Sequence, residues 1–517
     1  MTYDYIVIGG GVSGVFLTYK LMTTGKSILL IESSNRLGGK LLLNKDKRMK
    51  VELGGARFAS THKKVLRLIG ELKLTDDIIE LPSDDDIVYK MKDKINLRNI
   101  EQKVLLESKD FPKKYLQGVT YKQLCYDILG EETSHIYQNM FGYDSEFIHL
   151  NAYAMLKMFG ADILKKSQYY TLKNGYESII SKMKDSFTNN VEIKMNTAIH
   201  DIGENYVLHN KTKQYFRKCV MCVPKKTLEK FSYFKNNLSL NTVRGIPLLR
   251  IYMKYPVSGK GPWFKDIKRT ITDSYIRQII PIDYEKGIIM ISYTDGDDAR
   301  SLNDLVKLGD KILIQKVHRA INKIFKITPP TPLLTKCAYW GEGVHMWKSG
   351  VNVKEEYEKL LQITPKIFIA TESYSMHQCW VEGCLDMVYD VLDKMNVKTD
   401  VNIKDKVKDK VKDKLKDKVK VYGIDAVLKE KAWIVMEING RKKIYDVQKW
   451  LNKHPGGRDN IMKGIKANNH YKDPKKYPES PMDLFNGISS HTSGDVIQKM
   501  LKTDNKLVVY VGLLKKI

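Results

Sequence analysis

The sequence predicts an α/β protein followed by a separate, small α+β unit, and three observations predict it. The 517 residues are 43% apolar, 28% charged and 10% aromatic, the profile of a folded chain too long for one hydrophobic core. At the N-terminus an apolar strand runs straight into a glycine-rich turn and a helical pattern, the opening of a Rossmann-like domain. At 402–420 the repeat NIKDKVKDKVKDKLKDKVK breaks the chain in two. No stretch of about eighteen uncharged apolar residues occurs, so no spanning helix is expected. The start MTYDYIVIGGG has an acid where a signal peptide needs positive charge, so an intracellular, cytoplasmic location is expected.

Residues 3–8 (YDYIVI) read as a buried strand, GGGVSG follows at 9–14, and VFLTYKLMTTG has helical apolar spacing. SILLIE is then a second strand closing on Glu32, 18 positions after Gly14. Gly9 permits the tight turn, Gly11 lets backbone approach a pyrophosphate, and Gly14 lets helix and strand pack closely. The helix N-terminus stabilises phosphate charge, and Glu32 accepts hydrogen bonds from ribose hydroxyls. A dinucleotide is expected here.

After Glu32 come SSNRLGGK and VELGGARFAS, and these residues resemble the flavin-containing amine oxidase family of monoamine, polyamine and L-amino-acid oxidases. Glu32, Arg36, Gly38 and Gly39 match its E-x-x-x-R-x-G-G-R pattern, with Lys40 replacing the last arginine. Gly54, Gly55, Ala56 and Arg57 resemble the segment beside the flavin. KNGY at 173–176 resembles a strand-to-helix turn, VEIKMNTAIHDI the pair of strands that contact adenine through Ile199, and CVMCVP a strand ending in proline. IFIATESYSMHQCWVEGCLDMV resembles the second flavin signature. By that resemblance Glu372 binds the ribityl chain, and Trp380, Val381 and Glu382 lie beside the isoalloxazine ring. The implied cofactor is FAD, held non-covalently, since Val351 follows Gly350 where monoamine oxidases carry their tethering cysteine.

On the substrate side the resemblance implies hydride transfer to the flavin, with the protein supplying orientation and electrostatics. Trp380 is the expected aromatic wall and Cys379 adjoins it; for Tyr374, His345 and Trp347 core packing competes with that role. Arg57 stands where amino-acid oxidases bind a carboxylate, or makes a surface or phosphate contact. Arg250, in LLRIYMKYP, stands where the family's active-site lysine holds a water near the flavin, and Thr371 replaces the glycine of the usual G-E pair. Ile279 and Ile280 stand where an assisting tyrosine is expected.

Beyond the repeat, WIVMEINGRKKIYDVQKWLNKHPGG resembles cytochrome b5-like haem domains. His454, in H-P-G-G, and His491, in FNGISSHTSGD, are the implied iron ligands of haem b, with His470 competing for the second place. Two histidines leave iron no open position, so electron transfer is the implied task.

The expected domains are an FAD-dependent unit, 1–396, a linker, 397–420, and a b5-like domain, 421–517. FAD-binding segments at about 1–60, 185–245 and 365–396 are interleaved with an α+β substrate domain. The expected reaction oxidises an amine or amino acid to an imine, with electrons passing to oxygen or to the tethered haem. The alternatives are a desaturase-like dehydrogenase acting on a C–C bond and a non-catalytic basic packaging protein that kept both folds. The net charge of +27 comes from 87 basic and 60 acidic residues. It would attract nucleic acid or another polyanion, but AT-rich coding produces the same lysines. The repeat at 402–420 carries nine lysines and four aspartates and the last unit eighteen basic and ten acidic residues, so the charge is spread and no polyanion partner is favoured. The expected partners are therefore a small amine or amino acid and a one-electron redox partner. Cys219 and Cys222 form a C-x-x-C on a strand pattern, where residues three apart face opposite ways; buried thiols are expected.

Overall fold

In the computed structural model the N-terminal strand, Thr2–Ile8, lies inside a seven-stranded sheet. Residues 2–165 and 167–397 are described and, beyond them, 421–422, 427–428, 433–438, 441–446, 462–463, 465–473, 476, 481 and 509–514. The Lys/Asp repeat, His454 and His491 lie outside the described residues. The chain divides into two compact units, Met1–Lys404 and Asp405–Ile517.

Thr2–Ile8 pairs in parallel with Ile28–Ile31 on one side and Thr212–Met221 on the other, and Ile28–Ile31 pairs with Val191–Lys194. Ile6, Val7 and Ile28–Ile31 are fully buried, as strands of a parallel sheet covered on both faces must be. The Val12–Leu21 helix covers this sheet and packs against Ser178–Asp185 and Val381–Lys394. The far edge of Thr212–Met221 takes Tyr206–His209 antiparallel and Ile367–Ile369 parallel, so segments distant in sequence close one nucleotide-binding sheet. Cys219 and Cys222 are buried free thiols, and burial pushes both thiol pKa values up.

The second sheet has six strands, in the order Leu334–Trp347, Val243–Lys254, Ile288–Asp295, Gln278–Asp283, Thr270–Thr272 and Val88–Lys90. Side chains alternate across a strand. Leu249, Ile251 and Met253 point into a core shared with Leu302 of the Gly296–Lys307 helix and Val317 of Asp310–Phe325. Each such buried aliphatic contributes on the order of 2 kcal/mol. Tyr252 and Met290 point the other way, onto Met49, Val51 and Leu53. That contact presses the substrate sheet against the strand-and-glycine segment leading to Arg57. A bulge matters here: Ile251 pairs with Ser292 but Tyr252 with Met290, leaving Ile291 as an extra residue. The alternation therefore shifts by one, and Tyr293 arrives opposite Arg250.

Among the described residues of the C-terminal unit, four strands run in the order Val421–Tyr422, Val509–Leu514, Arg441–Asp446 and Trp433–Ile438. Buried Asn468 accepts from the Val435 N–H at 2.8 Å and donates to the Trp433 carbonyl at 2.7 Å, tying that strand to the Ala467–Tyr471 turn that carries His470. No helix among the described residues is long and apolar enough to cross a membrane.

Candidate flavin and substrate site

The glycine turn is built for a phosphate group. Gly9 has φ +101°, and a Cβ on Gly14 would lie 1.9 Å from the Gly9 carbonyl oxygen, so neither position admits a side chain. A Cβ on Gly11 would meet only the Gly39 Cα, at 3.9 Å, which leaves that backbone open to close approach. Gly11 caps the Val12–Leu21 helix with no side-chain cap and no acid in the first turn, so the positive helix end is uncompensated. The residues present fit a dinucleotide pyrophosphate.

Glu32 lies where the sequence puts it, at the end of the second strand, with one oxygen accepting from the Gly10 N–H at 2.7 Å and the other from the Ser34 N–H at 2.8 Å. The Thr197 N–H bonds the Glu32 carbonyl at 2.9 Å, which brings the segment carrying Ile199 alongside. Gly38 donates to the Gly10 carbonyl at 2.7 Å, and the Arg36 guanidinium ties the Leu41 carbonyl at 3.0 Å and that of Gly39. Gly55 donates to the Lys40 carbonyl at 2.9 Å, so Gly54, Gly55 and Ala56 run beside the same loop.

Lys40 Nζ reaches Glu372 at 3.3 Å and the Gly343 carbonyl at 2.9 Å. Burial alone would raise the Glu372 carboxyl, but Lys40 and the His345 ring hold it well below the usual carboxylate range. Its second oxygen accepts from the Cys379 N–H at 2.8 Å. Trp380 follows and caps the Val381–Lys394 helix. The Glu382 carboxylate accepts from the N–H groups of Lys64 at 3.0 Å and Val65 at 2.9 Å.

Arg57 and Trp380 do come together. The Trp380 and Tyr169 rings stack with centroids 6.0 Å apart and 12° between planes, and the Arg57 guanidinium lies 4.4 Å from the Tyr169 ring centre and 5.8 Å from that of Trp380. Arg57 also donates to the Tyr143 hydroxyl at 3.3 Å. Tyr143 meets Tyr293 edge-on at 5.6 Å, and Arg250 lies 4.8 Å from the Tyr293 ring while donating to the Glu52 carbonyl at 3.1 Å. Tyr374 and Trp347 are core residues, each buried and bonded to backbone carbonyls. His345 is buried behind Glu372 and is not part of the aromatic wall.

Sequence reasoning missed Tyr143, Tyr169, Tyr293 and Glu146. Tyr143 and Glu146 flank the start of a π-helical turn, Ser145–His149, a local irregularity without a spacing signature. Buried Asp295 accepts from the N–H groups of Ser145 at 2.7 Å and Asp144 at 3.1 Å, anchoring that turn. Burial and the neighbouring Asp295 push Glu146 up to about 7.

Residues 7–72 match the NAD(P)-binding Rossmann-like domain family and residues 134–386 the flavin containing amine oxidoreductase family. Flavin-containing amine oxidase B of Rattus norvegicus is 39% identical over 72 residues, 14% of this chain and 14% of that protein. Achacin of Lissachatina fulica is 38% identical over 77 residues, again 14% of each. The chain thus aligns with only a small part of the length of these curated relatives. Among solved structures, a wild-type putrescine oxidase bound to putrescine superposes with a TM-score of 0.62 at 12% identity, over 77% of this chain and 100% of that one. A provisionally named protoporphyrinogen oxidase of Exiguobacterium sp. 255-15 gives 0.63 at 14% identity, over 77% and 99%. At such identities the structural likeness is one of fold. The family matches and curated relatives support the flavin-containing amine oxidase family and an FAD-dependent oxidoreductase.

Proposed function

We propose that the N-terminal unit oxidises an amine or amino acid to an imine, with FAD bound non-covalently across the glycine turn, Glu32, Arg36, Gly38, Gly39 and Glu372. The observation that carries the reading is Arg57, a cation held on the aromatic wall of Tyr169 and Trp380 with Tyr143 as its hydrogen-bond partner. A substrate carboxylate would pair with its two guanidinium N–H groups, and Tyr143 supplies the hydroxyl that Ile279 and Ile280 lack. When bound, FAD would accept a hydride at N5. The protein's share is to orient the substrate, exclude water and favour the neutral amine, which the aromatic wall does by lowering local polarity. Glu146, its carboxyl raised by burial and by Asp295, is a suitable acceptor for the ammonium proton. Arg250 occupies the lysine's place, on the Tyr293 ring, as a fixed charge without a proton to exchange.

For the C-terminal unit the reading is haem b held by His454 and His491, taking electrons singly from the flavin as an alternative to oxygen. It rests on the sequence resemblance, because both histidines lie outside the described residues.

Anaerobic screening decides the activity. Amino acids or amines should bleach the flavin absorbance and yield the corresponding carbonyl compound. Bleaching only by substrates that lose hydrogen across a C–C bond would replace this reading with the desaturase one.

A further inference from the structure

His345 is completely buried on the Leu334–Trp347 strand, where its backbone is fixed by pairing with Gly245. Its Nδ1 faces Glu372 Oε2 at 3.2 Å; its Nε2 faces the Ser373 hydroxyl at 3.4 Å and Glu342 at 3.5 Å. Glu372 in turn holds the Cys379 N–H. Cys379 has φ +72°, the left-handed region that a residue with a Cβ adopts only when its surroundings impose it. A second link follows the same route: the Trp347 N–H donates to Gln378 at 3.0 Å, and Gln378 donates to the Ser373 carbonyl at 2.7 Å. The rigid strand is therefore fastened at two points to the turn that aims Trp380 at Tyr169 and Arg57.

We propose that His345 is a positioning residue: its Nδ1–H fixes Glu372, Glu372 fixes the left-handed Cys379, and Cys379 sets the plane of Trp380. It takes no part in the chemistry and touches no substrate. The proposal rests on the reading that Trp380 and Arg57 line the substrate chamber. It explains why a histidine lies buried between carboxylates at a site that needs no histidine for its reaction. It also assigns Lys40 a share, since Lys40 shares Glu372 Oε2 with the His345 ring and keeps that carboxylate charged when Cys379 is held. Glu342, on the same strand, also faces His345, and Lys225 acts on Glu342.

Cys379 reports on its own turn. Cys379 is half-buried, and lost solvation, with Glu146 and Glu372 nearby, raises its thiol pKa well above the ordinary value, so it should react slowly in the intact protein. The test is site-resolved alkylation of the full-length protein by iodoacetamide at pH 8, followed by mass spectrometry. Cys125 and Cys219, both fully buried, serve as internal controls for general loosening. An asparagine amide overlays the histidine Nδ1 and a glutamine amide the Nε2. His345→Asn should leave the Cys379 rate near that of the wild type. His345→Gln and His345→Leu should raise it about tenfold or more through local opening, with the control cysteines unchanged. Equal protection by His345→Gln, or a wild-type rate in His345→Leu, overturns the proposal. If His345→Leu exposes all the cysteines together, the Asn and Gln pair decides alone. The readout needs no turnover, so it stands whether or not any amine bleaches the flavin.

Discussion

Glu52 Oε1 accepts from the Tyr176 N–H at 2.6 Å, while its buried Oε2 has no hydrogen-bond partner among the described residues. Burial pushes its carboxyl up to about 7, against the pull of the Tyr176 N–H and Arg250. Below an unfolded value near 4.5 both states are protonated and the stabilising contribution is whole. As pH rises toward 7 the unfolded chain releases the proton first, so stability falls, and above the folded value the loss is complete. Glu52→Gln removes this titration. Between pH 5 and pH 8 in urea unfolding, the variant should gain about 2–3 kcal/mol on the wild type, at about 1.4 kcal/mol per unit; a difference that does not change with pH would refute it. Arg57 carries the second prediction at this scale. A lysine keeps the charge but loses the paired N–H groups and the flat face on Tyr169. Arg57→Lys should weaken amino-acid substrates by about 2–3 kcal/mol in kcat/KM and spare simple amines. Equal losses for both would move Arg57 to a flavin or folding role. Arg57 was visible in VELGGARF, but not its surroundings: Tyr143 lies two residues before a π-helical turn, and Tyr293 faces the site because of the extra Ile291 in its strand, an irregularity that strict alternation does not reveal.

Among the elements, the Lys63–Glu71 helix starts at His62 with no side-chain cap of its own. Glu382, in the first turn of another helix, supplies the missing acceptor to two of its N–H groups and places negative charge at its positive end. Glu382→Ala should therefore cost about 1–2 kcal/mol of unfolding free energy, the scale of a lost cap, while leaving flavin affinity unchanged. Loss of flavin at unchanged stability would restore the role beside the ring that the sequence resemblance implied. The contrast with the glycine turn shows what a sequence makes legible. There, strand, turn, helix and Glu32 are contiguous, so local apolar spacing and a few glycines define geometry that the fold reproduces. The cap pairs residues 318 apart, and no local pattern marks which N–H groups a carboxylate will meet. In the discontinuous sheet only the buried end of Thr212–Met221, Cys219–Met221, is an apolar run, and it pairs with Ile367–Ile369 far along the chain, a partnership that no local spacing marks.

At the scale of the whole molecule, the boundary between the two units falls within a nineteen-residue repeat of lysine and aspartate at 402–420, which the sequence leads one to expect as a linker. As a flexible coil such a segment would have a reach of about 25 Å, which sets an effective concentration around millimolar between its ends. Repeated encounter at that concentration needs no tight interface. The proposed haem, with two histidine ligands, would leave no position for oxygen or substrate and would serve electron transfer, and by the sequence resemblance Arg250 stands where the family has the lysine that positions water near the flavin. These three features together predict that the chain works as a dehydrogenase whose acceptor is its own C-terminal unit. The prerequisite is ligation: His454→Ala or His491→Ala should each abolish the low-spin haem spectrum, and His470→Ala should leave it intact. With ligation established, substrate mixed with oxidised protein under argon should bleach the flavin band first and shift the haem band second, at a rate unchanged by diluting the protein. A haem band that stays oxidised, or that shifts at a rate proportional to protein concentration, would mean that each unit serves an outside partner and that the repeat is only a joint between them.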